Sequence, residues 1–216
     1  RGDGEKAVML QENDATFAVY AAQGQKTGWF YDQRQNRAFV ASLARGGRLI
    51  DFYSYGGGFA IQALKSGATE AVLVDRSELA MEAAAESAAL NAVADRCRFV
   101  KQDSFAEMER IARAGERFEV VIADPPAFVK AKKDFHRGTR AYRKMTRLAA
   151  RLVAPGGFLF VASCSHNVAP DVFVDLVKLG LVDAGRSGCI LRAAGAGPDH
   201  PVHYALPETA YLKSLT

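Results

Sequence analysis

Long apolar runs are missing from this chain of 216 residues, and no stretch approaches the roughly twenty consecutive apolar residues that a membrane-spanning helix needs. The opening Arg1-Gly-Asp-Gly lacks the hydrophobic region of a signal peptide, and a start on Arg in place of Met leads us to expect a longer parent protein. Cysteine is scarce. Cys97, Cys164 and Cys189 are odd in number and widely spaced, which fits neither a disulfide framework nor a CxxC metal or redox site, so a reducing cytoplasm is expected. His166, His200 and His203 have no zinc-ligand spacing, and no metal is expected. The GxGxxG turn of nicotinamide enzymes is absent, as are internal repeats, heptads and low-complexity tracts. Neither charge sign dominates: 28 Lys and Arg against 24 Asp and Glu leave a formal +4, a mild bias that suits a polyanionic partner without requiring one.

What is present is an ordinary globular mixture of apolar and charged residues, long enough for one α/β domain with a full core and too short for two. From Arg48 onward, short apolar or β-branched runs alternate with helix-like stretches. Strands are expected at 48–53, 70–75, 98–101, 118–124 and 157–163, and helices at 59–66, 78–91, 105–114, 139–152 and 170–183. Five βα units in succession predict a doubly wound, mostly parallel sheet with helices on both faces. Two more strands, near Cys189 and at 211–215, bring it to seven, although the glycine-rich stretch 185–197 resists assignment. Residues 6–20 alternate around Asn13-Asp14 like a β-hairpin, followed by the polar segment 23–28. The expected division is a hairpin appendage over 1–25 and a catalytic domain over 26–216.

The first strand runs into Asp51-Phe-Tyr-Ser-Tyr-Gly56-Gly57-Gly58-Phe59, where glycines let a ligand approach the backbone and a helix N-terminus offers free N–H groups. A tight strand-to-helix turn is the plain alternative. Asp75 ends the second strand, where a carboxylate can accept both ribose hydroxyls, and Asp103 ends the third. Each acid alone could be a helix N-cap, Asp103 above all. In a doubly wound sheet the C-terminal strand ends share one crevice, so Asp51, Asp75 and Asp103 would meet one ligand, with Asp124 following at the fourth strand.

This constellation resembles the class I S-adenosylmethionine-dependent methyltransferases. The resemblance implies a Rossmann-like fold and the cofactor S-adenosylmethionine, with S-adenosylhomocysteine as product. By it, Gly56, Gly57 and Gly58 approach the amino-acid end of the cofactor, Asp75 holds the ribose and Asp103 meets the adenine amine. The implied shell also takes in Asp51, Tyr53, Ser54, Phe59, Arg76, Ser77, Ser104 and Asp124.

Asp124-Pro125-Pro126-Ala127-Phe128 follows the fourth strand; two prolines stiffen the loop and remove two donors. It resembles the fourth motif of methyltransferases acting on planar nitrogen rings. Asp124 or a proline carbonyl could accept from an exocyclic amine, and Phe128 could stack on an extruded base or fill the core. Cys164, in Ser163-Cys-Ser165-His166, falls where the fifth strand ends. Carbon-5 of a pyrimidine is a poor nucleophile until a group adds at carbon-6, and a thiolate suits that task. A lone cysteine is also commonly a small buried hydrophobe, as Cys97 and Cys189 are read here.

Taken with Lys26-Thr-Gly-Trp-Phe-Tyr-Asp32-Gln33-Arg34, His200-Pro-Val and Leu206-Pro-Glu-Thr-Ala-Tyr-Leu-Lys213, these motifs resemble the bacterial 23S ribosomal RNA cytosine-C5 methyltransferases, here without the PUA domain typical of that family. The resemblance implies Cys164 as nucleophile, Asp124 as the residue orienting cytosine, and Glu208 as a candidate base for the carbon-5 proton. Related uracil-C5 enzymes carry a glutamate where this chain has Lys213, a residue unsuited to accept a proton while charged. Gln33 and Arg34 resemble family residues near cofactor or RNA, with a cap or salt bridge as alternative.

Lys130, Lys132, Lys133, His136, Arg137, Arg140, Arg143, Lys144 and Arg147 cluster behind the Asp124 loop, with Phe135 and Tyr142 among them. Pro125, Pro126, Phe128, Lys130, Arg137, Arg140 and Tyr142 are the expected substrate contacts, and for Lys144 and Arg147 a solvated helix face is preferred. The expected partner is large-subunit ribosomal RNA, with a homodimer left open. Rival functions are guanine-nitrogen methylation, methylation of a small molecule, and a ribosome-associated module that binds the cofactor without turnover.

Overall fold

The computed structural model describes residues 7–20 and 28–216. Lys6, residues 23–27 of the polar segment, Lys26-Thr27 of the tryptophan motif and the expected boundary at 25/26 lie outside them. The chain forms two compact units, Arg1–Ser104 and Phe105–Thr216.

The first unit opens with strands β1 (Val8–Glu12) and β2 (Ala15–Val19), paired antiparallel through Asn13 and Asp14 at φ 48° and 63°. Two successive left-handed residues match the twist of a two-residue hairpin turn, and Asn and Asp tolerate that conformation better than other side chains. As expected, the hairpin is a sheet of its own. Helix α1 (Arg34–Leu43) follows, outside the helices expected from the sequence. Strands β3 (Arg48–Phe52), β4 (Glu70–Asp75) and β5 (Cys97–Lys101) then run parallel in the order β5-β4-β3, crossed over by α2 (Gly58–Lys65) and α3 (Glu78–Leu90). Leu49, Ile50 and Phe52 of β3 and Ala71 to Val74 of β4 are fully buried, the mark of a parallel sheet covered on both faces.

The outer edge of β2 is closed by α3. Asn91, just past that helix, accepts from the Thr16 amide at 3.0 Å and donates to its carbonyl at 2.6 Å, and Ser87 Oγ accepts from the Ala18 amide at 3.0 Å. Side chains thus replace a missing neighbour strand.

The second unit contains α4 (Ser104–Ala114), β6 (Phe118–Ala123), α5 (Phe135–Leu152), β7 (Val153–Ser163), α6 (Pro170–Asp183), β8 (Ala193–Ala194) and β9 (Lys213–Leu215). Its strand order is β6-β7-β9-β8, with β6 and β7 parallel and β9 antiparallel to both neighbours. The fold is α/β and Rossmann-like, built on seven mostly parallel strands. Most boundaries hold to within one or two residues, and three shift further. Helix α5 starts before Thr139 because Gly138 fits inside it: a Cβ there would lie 2.4 Å from Val129 Cγ2 and 2.6 Å from the Phe128 carbonyl, so only glycine lets the helix lie on that loop. Strand β7 starts at Val153, ahead of an irregular register against β6. In 185–197 the strand is β8 at 193–194, not near Cys189.

Candidate active site

In the first unit, β3 hands over to a turn in which alternate residues, Tyr53, Tyr55 and Gly57, are left-handed at φ 62°, 49° and 79°. Non-glycine residues held there cost on the order of 1–3 kcal/mol each, and such strain concentrates at ligand sites. Hydrogen bonds hold the conformation: Ser54 N to the Val74 carbonyl at 3.1 Å, Gly57 N to the Ser54 carbonyl at 2.9 Å, Tyr55 N to Asp75 Oδ2 at 3.0 Å, and the Tyr55 hydroxyl to the Gly28 carbonyl at 3.0 Å. Burial, then Asp75, pushes the Tyr55 phenol up. Gly57 precedes α2, and a Cβ on it would lie 2.9 Å from Ile61 Cδ1 and 3.0 Å from Leu73 Cδ2. A Cβ on Gly58 would lie 2.6 Å from Arg37 Nε. Internal packing therefore already demands both glycines.

Asp75, half-buried at the end of β4, accepts from Tyr55 N on one oxygen and from Ser77 N, at 2.9 Å, on the other. Each oxygen keeps a lone pair for a hydroxyl donor. Asp51 is 1% exposed on β3, while Asp103 is exposed between β5 and α4. Ser54 Oγ is buried with no hydrogen-bond partner among the described residues, an open polar atom in the middle of the turn. These groups fit a ligand carrying hydroxyl and amino donors. Ser77 caps α3 by accepting from Ala80 N at 3.3 Å, Arg76 is exposed, and Phe59 and Ser104 are buried. Gln33 is buried and accepts from Asn36 Nδ2 at 2.7 Å; the Arg34 carbonyl accepts from Asn13 Nδ2 at 2.9 Å.

In the second unit, half-buried Asp124 follows β6, Pro125 is buried and Pro126 exposed. Cys164, half-buried beyond β7, directs its Sγ at the Pro125 carbonyl, 3.8 Å away. The fourth- and fifth-strand motifs are thus brought together. Tyr142, expected among the substrate contacts, is instead 0% exposed and supports the loop from beneath. Its hydroxyl lies 2.7 Å from Ser165 Oγ, accepts from Ser163 Oγ at 2.9 Å, and is approached by Phe128 N at 3.4 Å. Ser165 Oγ also accepts from Val129 N at 3.1 Å. Burial pushes the Tyr142 phenol up, so the hydroxyl stays protonated. Half-buried Phe128 lies between Phe105, stacked at 6.0 Å, and Tyr142, tilted at 4.7 Å.

Lys213 enters the same neighbourhood from β9, and its Nζ donates to the Ser165 carbonyl at 2.8 Å and the Tyr211 carbonyl at 2.9 Å. Glu208 is exposed on a single turn of 3-10 helix, Pro207–Thr209. Lys130, Lys132, Lys133, His136, Arg137 and Arg140 are exposed around the start of α5. Arg137 pairs with Asp134 at 2.9 Å, Arg143 with Asp183 at 2.6 Å and Lys144 with Glu109 at 3.0 Å. Among the described residues no group of three His, Cys, Asp or Glu side chains is arranged to hold a metal, and no helix is long and apolar enough to cross a membrane.

Two proteins called ribosomal RNA large subunit methyltransferase I are similar over nearly the whole chain. The one from Aeromonas salmonicida is 38% identical over 96% of this chain and 53% of its own length; the one from Pseudoalteromonas atlantica is 36% identical over 99% and 54%. The chain therefore spans about half the length of these curated relatives. Among solved structures, a methyltransferase complexed with SAH superposes with a TM-score of 0.86 at 22% identity, covering 98% of this chain and 55% of the other. Trm5b from Pyrococcus abyssi reaches 0.69 at 14% identity, covering 100% and 56%; at such identities the likeness is one of fold. The model of the S-adenosylmethionine-dependent methyltransferases matches residues 2–180, and the chain belongs to that family.

Proposed function

We propose that this chain is the catalytic part of a large-subunit ribosomal RNA methyltransferase that forms 5-methylcytosine. The relatives named above support the RNA, and one observation carries the carbon chemistry: Cys164 Sγ lies 3.8 Å from the Pro125 carbonyl, on the loop that opens with Asp124. A methylase of ring or exocyclic nitrogen needs no thiol there.

S-adenosylmethionine supplies a methyl group on an electrophilic sulfonium. Asp75 would hold the ribose, the Tyr53–Gly58 turn the amino-acid end and Asp103 the adenine. Asp124 accepts from the cytosine amine and orients the ring. The Cys164 thiolate adds to carbon-6, which turns carbon-5 into an enamine-like nucleophile. Carbon-5 would take the methyl group as its bond to the sulfonium breaks and S-adenosylhomocysteine is released. The carbon-5 proton then leaves to a base, and the electron pair re-forms the ring double bond as the thiolate departs. Exposed Glu208 and water are the candidate bases. Lys213 is not one, because its ammonium is already donating to two carbonyls.

The test is incubation of the full chain with methyl-labelled S-adenosylmethionine and unmodified large-subunit ribosomal RNA, followed by digestion and mass identification of the labelled nucleoside. The expected product is 5-methylcytidine, lost in Cys164→Ala. A labelled methylguanosine would move the reading to guanine nitrogen, and unlabelled RNA would overturn the substrate.

A further inference from the structure

We infer that Lys213 is a positioning residue for Cys164: its buried ammonium fixes the turn that carries the thiol and stabilises the thiolate that attacks the base. The inference rests on Cys164 being the nucleophile.

Lys213 is the cross-strand partner of Ser163, so its backbone lies beside the last residue before Cys164. Its side chain passes that position and binds the Ser165 carbonyl, the first residue after it. The cysteine is thus bracketed by a strand pairing on one side and an ammonium-to-carbonyl bond on the other. The residue is only 9% exposed. A buried ammonium is costly unless an opposite charge compensates, yet no carboxylate pairs with Lys213 among the described residues. Two carbonyl dipoles satisfy two of its three donors. A thiolate next to it would supply the missing negative charge.

Burial pulls the Lys213 ammonium down from the usual lysine range, while Cys164 pulls it back up. Such coupling is mutual: whatever the sulfur anion does for the ammonium, the ammonium does for the anion. The Tyr142 hydroxyl from α5 and the Pro125 carbonyl from the loop after β6 also face the sulfur. The tyrosine stays neutral, and Asp124, one residue before Pro125, is common to every variant compared below.

The experiment is iodoacetamide alkylation of each cysteine from pH 6 to 10, read by peptide mass spectrometry, in the full chain and in Lys213→Met and Lys213→Arg. Exposed Cys189 is the internal reference. Lys213→Met should move the Cys164 midpoint upward by about one pH unit and slow its alkylation near pH 7 about tenfold, leave Cys189 unchanged, and be largely rescued in Lys213→Arg. Lys213→Gln replaces the Met variant if that variant does not melt cooperatively. An unshifted Cys164 midpoint in a folded variant would overturn the inference. Retention of 5-methylcytidine formation by Cys164→Ala would instead overturn the nucleophile assignment, with the midpoint shift still standing.

Discussion

Arg37 donates to Glu12 at 2.7 Å with both side chains nearly closed to solvent, 5% and 2% exposed, and this pair fastens the hairpin to α1. Trp29 Nε1 and Gln62 Nε2 donate to the same carboxylate at 2.9 and 3.0 Å. The guanidinium also donates to the Phe30 carbonyl at 2.8 Å, lies 4.5 Å from the Trp29 ring centroid, and lines the space that a Gly58 side chain would need. One hairpin carboxylate thereby sets the residue that bounds the glycine turn.

Glu12→Gln removes the anion and leaves that guanidinium buried beside neutral acceptors. The expected loss is about 3–5 kcal/mol, read from urea unfolding, since breaking one half of a buried pair strands the other. The double variant Glu12→Gln, Arg37→Met should recover part of it. If the two losses simply add, the pair is not coupled.

Gly138→Ala places a methyl group 2.4 Å from Val129 Cγ2 and 2.6 Å from the Phe128 carbonyl, and the backbone oxygen cannot rotate away. Overpacking of this kind costs about 1–3 kcal/mol. Because the displaced segment is the loop carrying Asp124, methyl transfer should fall by more than tenfold while S-adenosylhomocysteine affinity, measured by calorimetry, stays within about twofold. A parallel loss of both would place the damage elsewhere.

What was legible in the sequence was local. Asn13-Asp14 announces its hairpin because two left-handed residues suffice to make one, and α6 is read to the residue because Pro170 sets its first turn. Helix α1 was missed because its buried face contains Asn36 and Arg37 beside Val40 and Ala41, so polar residues interrupt the apolar stripe. The sequence places Tyr142 among basic residues as an expected substrate contact. Yet Gly138, Tyr142, Met145, Ala149 and Leu152 follow helical spacing, and that stripe was the available signal for its burial. The placement of Lys213 had no such signal. A three-residue strand is too short to show a period, and its burial depends on pairing with a segment about fifty residues away.

Lys130, Lys132 and Lys133 are exposed and form no ion pair among the described residues, whereas Arg143 is engaged by Asp183. If the cluster tracks an RNA backbone, Lys132→Ala combined with Lys133→Ala should flatten the plot of log affinity against log salt by about 1.4, since each single-strand phosphate contact contributes about 0.7. Arg143→Ala should leave the slope unchanged. Fluorescence anisotropy with a ribosomal RNA fragment at several salt concentrations measures both, and an unaltered slope in the double variant would move the RNA path away from α5.

Asp75 and Asp103 are not equivalent in the structure, and their variants should separate accordingly. One oxygen of Asp75 accepts from Tyr55 N in the strained turn and the other from Ser77 N at the start of α3, so both are committed to backbone donors before any ligand arrives. In Asp75→Asn an amide NH2 must face one of those N–H groups. That mismatch is there with or without ligand and lowers stability; the acceptor and charge lost toward the ribose hydroxyls cost about 1–3 kcal/mol of binding. At about 1.4 kcal/mol per decade this weakens S-adenosylhomocysteine binding roughly 5- to 150-fold. Asp103 is exposed, so solvent can compensate for much of what Asp103→Asn removes, and a loss of about threefold or less is expected. Calorimetric titration ranks the two; the reverse order would take the ribose contact away from the end of β4.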